Sequence, residues 1–328
     1  MNVIVGIDIG GTKCAITFGA VEDSRFTFLD KVKEHTITED PDQAIARFIA
    51  IIREKLAAHP DWTLLSIGIS CGGPLDAERG LILAPPNLPL WDNVDIYTPL
   101  RETFQVPVAM ENDANACALA EWVHGAGKGI RNMVFLTFGT GMGAGLILNG
   151  KLYAGSNDMA GEVGHIRLAQ DGPEGYGKRG SFEGFCSGGG IAKQGRVAAE
   201  QALARGETVG FCTGADELDG ITAEKIAIAR AKGDPCAVQI FDNVASKLGM
   251  GLSILIDILN PQVIVIGSIF ARQEQALRGR MEQIIAQEAL KRNAEICRIC
   301  PPALGEKIGD YAAMTVGLMK YQNDRTAK

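Results

Sequence analysis

A glycine–threonine turn set between two strand-forming runs occurs twice in this chain. Asp8-Ile9-Gly10-Gly11-Thr12-Lys13 lies between Val3–Ile7 and Cys14–Val21. Phe138-Gly139-Thr140-Gly141-Met142-Gly143 lies between Met133–Thr137 and Ala144–Leu148. A tight turn of this kind exposes backbone N–H groups in a concave nest, and glycine lets an anion approach them closely. Two such turns, each opening an α/β segment, predict a phosphate chain gripped from two sides; two plain hairpin bends are the alternative. Other nucleotide fingerprints do not fit. A Walker loop needs Gly-x4-Gly-Lys-Ser/Thr running into a helix, and the dinucleotide fingerprint also needs a helix after its glycines. Here strand-like sequence follows both turns. Thr12 and Thr140 offer hydroxyls, Lys13 a cation, and Asp8 a carboxylate suited to hold Mg²⁺ through water.

The surrounding pattern alternates strand and helix. Val3–Gly10, Cys14–Val21 and Phe26–Lys33 read as successive strands. Asp40-Pro41 predicts a helix start, with a capping Asp and Pro at the first helical position. Ile45, Phe48, Ile49, Ile52 and Leu56 then recur at helical spacing. Leu64–Ser70 and Val106–Met110 read as buried strands. The second delivers Glu111-Asn112-Asp113 at its C-terminal end, ahead of an Ala-rich helix over Ala114–Val123. Asn149-Gly150 predicts a hairpin, because both turn residues tolerate positive φ. Further helices are predicted over Gly190–Ala204, Ala223–Lys232, Pro235–Leu259, 273–291 and Asp310–Tyr321, and strands over Val263–Gly267 and Ile296–Ile299. The class is α/β with two similar halves.

Composition narrows the partners. At 328 residues two domains are the natural prior. A net charge of −7, with no block of Lys or Arg, disfavours nucleic acid. Met1–Ile9 runs straight into a strand carrying Asp8, so no targeting leader is expected. The most apolar run, Leu248–Leu259, is shorter than the roughly 20 residues that span a bilayer. A cytoplasmic location without a membrane partner is the expectation. Of the 8 cysteines only Cys297-Arg-Ile-Cys300 forms a close pair, and these read as buried thiols.

Further motifs follow in order: Gly72-Gly73-Pro74-Leu75-Asp76, Asn87-Leu88-Pro89 with Trp91, Glu111-Asn112-Asp113-Ala114-Asn115, Gly161-Glu162-Val163-Gly164-His165, Gly180-Ser181-Phe182-Glu183, and Asn260-Pro261 before Val263–Gly267. Taken together with the two turns, they resemble the ROK family (repressors, open reading frames, kinases), the bacterial sugar-kinase and repressor branch of the actin/hexokinase/Hsp70 superfamily. The resemblance runs over almost the whole chain. It implies a two-domain actin-like ATPase (ribonuclease H-like) fold with an interdomain cleft. The small domain would take residues 1–120 plus about 305–328. The large domain, 121–304, would carry sugar-binding loops and a homodimer surface.

The implied activity is ATP-dependent phosphorylation of a hexose, at the 6-hydroxyl of glucose or a close relative. Taken alone, Asp113 reads equally as a helix cap or a base; the resemblance makes it the general base. Asp8, Gly10, Gly11, Thr12, Lys13, Gly139, Thr140, Gly141, Gly143 and Gly267 would bind ATP and its phosphates, with Mg²⁺ near Asp8. Gly73, Asn87, Asn112, Asp113, Glu162, His165 and Glu183 would bind the sugar, since a polyol needs both donors and acceptors. A lone Glu/His pair such as Glu162 and His165 is usually structural, and only the motif makes it a sugar contact.

Two departures stand out. Family kinases carry Cys-x-Cys-Gly-x-x-Gly-Cys-x-Glu, a zinc site completed by the motif histidine. Here Glu174, Tyr176 and Ser181 hold the thiolate positions. No structural zinc is expected, because these residues with His165 cannot supply a tetrahedral ligand set. The second departure is Gly267-Ser268-Ile269, where relatives show two or three glycines near the adenine and ribose. Rival readings are a non-catalytic sugar sensor or repressor, a kinase for fructose, mannose, allose or an N-acylhexosamine, and a filament-forming actin relative. Family repressors carry a helix-turn-helix domain, whereas this sequence starts at the first strand.

Overall fold

The computed structural model describes residues 1–22 and 25–326, so the last two residues of the expected small domain lie outside it. The chain forms two compact units. One comprises Met1–Gly129, Gly145–Ala160 and Ala303–Lys328; the other comprises Ile130–Ala144 and Gly161–Pro302. Among the described residues no helix is long and apolar enough to cross a membrane.

In the first unit, β1 (Asn2–Ile9) pairs antiparallel with β2 (Lys13–Glu22), which carries β3 (Arg25–His35) on its outer edge. On its other side β1 pairs parallel with β4 (Thr63–Cys71), followed by β5 (Val108–Asn112). Helix α1 (Pro41–Ala58) begins where the sequence predicts, with Asp40 accepting the Gln43 N–H at 2.9 Å and Pro41 in the first turn. Its buried Ile45, Phe48 and Ile52 join Val3, Val5 and Ile7 in one core. A short helix α2 (Tyr97–Phe104) and helix α3 (Asp113–His124) flank β5. Between β4 and α2 lies a small three-stranded sheet of very short strands, which the sequence pattern did not reveal. Strand β5 starts at Val108 rather than Val106. β5 is the edge strand of this sheet, and Pro107, which has no N–H to give, sits just before it while its carbonyl accepts the Ile67 N–H at 3.0 Å.

The C-terminal helix, Ile308–Thr326, packs on the opposite face of this sheet, where Met314 and Leu318 meet Ile4. Its close approach depends on glycine. Gly6 and Gly68 are register partners, and a Cβ on Gly68 would lie 2.0 Å from the Ala313 carbonyl oxygen and 2.3 Å from the Gly317 nitrogen. Ser66 fastens the contact by donating to the Gly317 carbonyl at 2.8 Å. Gly68→Ala is therefore expected to push the helix off the sheet, at the ~1–3 kcal/mol or more typical of overpacking a tight core. Denaturant unfolding of the variant beside wild type measures it.

The second sheet repeats the strand order of the first. From edge to edge it runs β8 (Lys151–Leu152), β7 (Met142–Leu148), β6 (Met133–Phe138), β9 (Val263–Ile266) and β10 (Arg298–Cys300). The unit boundary falls within β7, between Ala144 and Gly145. The hairpin joining β7 and β8 holds Asn149 at φ 55° and Gly150 at φ 75°, the positive values its sequence calls for. Helices α4 (Phe182–Phe185), α5 (Gly188–Ala204), α6 (Ala223–Ala231), α7 (Pro235–Leu259), α8 (Ile269–Glu288) and α9 (Lys291–Ile296) complete the second unit. Helix α7 has the predicted bounds, capped by Asp234 and ended by left-handed Asn260. Helix α8 starts at Ile269 rather than residue 273, and carries a non-helical Gln273 inside it. Cys297 and Cys300 are half-buried and form no disulfide; β10 is only Arg298–Cys300, because α9 occupies the residues up to Ile296.

Candidate functional site

In the first unit the parallel strands end side by side. Asp8 pairs with Ser70, Ile9 with Cys71, and Cys71 with Asn112. The C-terminal edge of parallel strands is where open α/β sheets hold ligands. Here that edge carries Asp8, Gly72-Gly73 and Asn112-Asp113. The turn after β1 is closed by the Gly10 N–H donating to the Lys13 carbonyl at 3.1 Å. Thr36 braces it from outside, its hydroxyl donating to the Gly10 carbonyl at 2.6 Å and its N–H to the Thr12 carbonyl at 3.1 Å. Thr12 and Lys13 are left exposed. Asn87 lies on this turn: a Cβ on Gly11 would sit 2.8 Å from the Asn87 Cβ, and one on Gly72 would sit 3.3 Å from its Oδ1. Gly73 has open space around its Cα.

Asn112, not Asp113, caps helix α3, its Oδ1 accepting the Asn115 N–H at 2.8 Å. Asp113 becomes the first helical residue, accepting the Ala114 N–H at 2.8 Å, and it is exposed. Of its two sequence readings, the cap is thereby taken by its neighbour. Desolvation by the protein around it raises the Asp113 carboxyl above the usual carboxylate range, against a lowering by the Ala114 N–H. Asp8 is pushed up to about 6, first by burial and then by the charge of Asp113, with a Ser70 hydrogen bond and Lys31 opposing. Lys31 is paired with Asp310. Burial likewise pushes Glu111 up to about 7, although the Asn115 side chain donates to it at 3.2 Å. Two neighbouring carboxylates with little compensating cation suit a divalent ion carried in with a phosphate ligand.

The second unit brings the second turn, the Gly161–His165 motif and Glu183 together. The Gly139 N–H closes the turn onto the Gly141 carbonyl at 3.1 Å, and the Gly139 carbonyl accepts the Gly188 N–H at 2.7 Å. Thr137 Oγ1 accepts the Gly143 N–H at 2.8 Å. Glu183 accepts the Met142 N–H at 2.9 Å, and a Cβ on Gly141 would come within 2.8 Å of that carboxylate. Gly164 packs against both: its Cβ would lie 2.3 Å from the Met142 carbonyl and 3.2 Å from the Glu183 Cβ. Glu162 and His165 bracket a 3₁₀ turn over Val163–His165, a geometry that eclipses residues three apart, and both are exposed.

A cavity of about 790 Å³ opens beside this turn, lined by Gly139, Thr140, Gly188, Thr222, Ser268 and Arg272 among others. Sequence reading reached its Gly139-Thr140 side and the Gly267-Ser268-Ile269 turn. Gly267 itself packs near Phe135, and the cavity wall is the next residue, Ser268, held at φ 55°. Thr222 and Arg272 went unnoticed; the run Gly188-Gly189-Gly190 was the signal that could have marked this wall.

The residues at the family's zinc positions do not fit a zinc ion. Ser181 is fully buried and caps α4 through the Gly184 N–H at 3.1 Å, while Tyr176 is 73% exposed. Glu174 is exposed. Among the described residues no group of three or more His, Cys, Asp or Glu could hold a metal. The loop is fastened instead by cations on backbone carbonyls: Lys178 donates to His165 at 2.7 Å, Lys193 to Glu174 at 2.8 Å, and Arg167 to Arg179 at 2.7 Å.

Known proteins resemble this chain along nearly its whole length. A glucokinase from Halalkalibacterium halodurans is 32% identical over 310 residues, 93% of this chain and 92% of its own. A xylose repressor from Caldicellulosiruptor bescii is 27% identical over 292 residues, covering 87% of this chain and 70% of the repressor. The structure of a ROK family glucokinase from Streptomyces griseus, in complex with glucose and AMPPNP, matches with a TM-score of 0.73 at 27% identity, over 98% of this chain and 99% of that one. The pattern of the ROK family covers residues 4–316, and the chain belongs to that family, with its α/β actin-like ATPase fold.

Proposed function

We propose that this protein is an ATP-dependent hexose kinase acting on the 6-hydroxyl of glucose or a close relative, with Asp113 as general base. The observation that carries this reading is Asp113 itself: an exposed carboxylate at a strand end, relieved of capping by Asn112 and set near Asp8. Phosphoryl transfer to an alcohol needs alignment, charge neutralisation and an acceptor for the hydroxyl proton, and little covalent help. Asp113 would accept that proton. Asn112 keeps its amide N–H groups for the sugar, since its oxygen is committed to the helix. Asn87, beside Gly11, and Gly73 would line the same ligand, and Glu162, His165 and Glu183 would contribute further hydroxyl contacts.

The backbone of Gly10–Lys13 and the Thr12 and Lys13 side chains would hold phosphate oxygens, as would Gly139–Gly143 with Thr140. The cavity behind Thr140 would receive the nucleoside. Magnesium, arriving with ATP, would be held by Asp8 and would neutralise phosphate charge. Two relatives support the reading: the S. griseus enzyme binds glucose and an ATP analogue, and the H. halodurans protein is a glucokinase.

A sugar sensor without turnover is the second reading, favoured by the repressor relative. An ADP-release assay across glucose, mannose, fructose, allose and N-acylhexosamines separates the two. A kinase releases ADP with at least one sugar, glucose being the expected one. Thermal stabilisation by sugar with no ADP from any of them would replace the kinase with the sensor.

A further inference from the structure

Helix α3 carries Asp113 in its first turn and, two turns on, a carboxylate that the proposed chemistry does not use. Glu121 is fully buried. It has no cationic partner among the described ion pairs. Its Oε2 accepts the Ala126 N–H at 2.7 Å and the Ala303 N–H at 3.1 Å, and its Oε1 accepts the Leu304 N–H at 2.9 Å. The Glu121 carbonyl takes the Gly125 and Gly127 N–H groups at 3.0 and 2.9 Å. One residue thus organises both the turn after α3 and a segment 182 positions later.

The location gives this meaning. The chain leaves the first unit after Gly129 and finally re-enters it at Ala303. Glu121 therefore pins the exit and the return of the long excursion to the same helix. A third crossing, at Gly145, also lies on α3: a Cβ there would be 2.4 Å from the Ala114 carbonyl oxygen and 2.5 Å from the Ala118 Cβ. Ala114 immediately follows Asp113. Carboxylates are costly to bury and suit this task only when every oxygen is well supplied with donors, as here.

We infer that Glu121 is a positioning residue. Its carboxylate anchors the turn after α3 and the returning segment at Ala303–Leu304 to the helix that bears Asp113, and so holds the base on that helix in place. This rests on the kinase reading for its kinetic consequence, though not for the anchoring itself. A misplacement of about 1 Å far from the chemistry can cost on the order of 10²-fold in rate.

The test is Glu121→Gln, whose amide N–H₂ must face backbone donors that the carboxylate accepted. Beside it stands Gly125→Ala, which leaves Glu121 in place and puts a Cβ 2.2 Å from its Oε2. Both variants are expected to lose about 10- to 100-fold in kcat. Their equilibrium affinity for AMPPNP, proposed to lie against second-unit residues, stays within about twofold, and the acid limb of the pH–rate profile stays in place because Asp113 is intact. A purely structural role would lower the melting temperature without that split.

Unchanged kcat in a folded variant, or parallel loss of kcat and nucleotide affinity, overturns the inference. Hydrogen exchange on wild type judges the anchor even if both variants fail to fold. The Ala126, Ala303 and Leu304 amides should exchange together and as slowly as the core of β1, and fast or independent exchange at any of them overturns it. Wild type that turns over no hexose would sink the kinase reading while leaving that exchange result to stand by itself.

Discussion

Asp113→Asn is expected to retain sugar binding and to lose at least ~10²-fold in kcat, the scale of a lost general base. The substitution keeps the side-chain shape and removes the negative charge together with the capacity to take a proton. Helix α3 should survive it, because its cap is the Asn112 oxygen, which donor Asn115 still reaches. Stability at neutral pH should hold or rise, since the Asp113 carboxyl already sits above the usual range through desolvation. The raised value has a kinetic counterpart. The base of the free protein regains its proton at a higher pH than an ordinary carboxylate, so kcat/KM should fall with acidification earlier than a carboxylate near 4 would dictate. Sugar titration by thermal shift, with ADP release measured on the same samples, gives both halves. Rates near wild type would remove Asp113 from the mechanism.

The elements legible in the sequence were those whose boundaries are written in local chemistry. Asp40-Pro41 opens α1, Asp234-Pro235 opens α7, and left-handed Asn260 closes it. What escaped depends on contacts distant in sequence or on unusual backbone. Helix α8 begins behind Ser268 at φ 55° and bends at Gln273, and neither feature leaves a periodic trace. Helix α2 has no side-chain cap of its own at Ile96, its first N–H groups being taken by Asp95 from outside. The candidate site divides the same way. Its turns and carboxylates lie in contiguous motifs, but the sequence reading gave Gly11 and Gly141 to phosphate approach and did not foresee that Asn87 and Glu183 close in on them. The acceptance of the Met142 N–H by Glu183, 41 residues away, and the three-donor hold of Glu121 on both segments were not readable. Both join stretches whose own sequences signal nothing about each other.

Asp8→Asn should stabilise the protein while disabling it, and the stabilisation should depend on pH in a defined direction. The folded Asp8 carboxyl is raised to about 6 from 3.8 by burial, with Asp113 adding repulsion. Below pH ~4 it is protonated in folded and unfolded chains alike and contributes nothing. Between the two values the unfolded chain sheds its proton while the fold retains it, so stability falls as pH rises, by about 1.4 kcal/mol per unit. Above about 6 the loss levels off near ~3 kcal/mol. Asparagine removes this penalty. The variant's advantage in denaturant unfolding should accordingly be absent near pH 4, grow through pH 5 and reach its full value by pH 7. A variant less stable than wild type at pH 7 would contradict the burial argument. On the proposed function turnover should collapse in the same protein, because the charge that weakens the free fold is the one that would hold the magnesium bound to ATP. Adding Mg·AMPPNP should then narrow the gap by stabilising wild type more than the variant. A carboxylate disfavoured by both burial and a like neighbour gains from a cation bound beside it, and that asymmetry between the free and the loaded protein is what the titration measures.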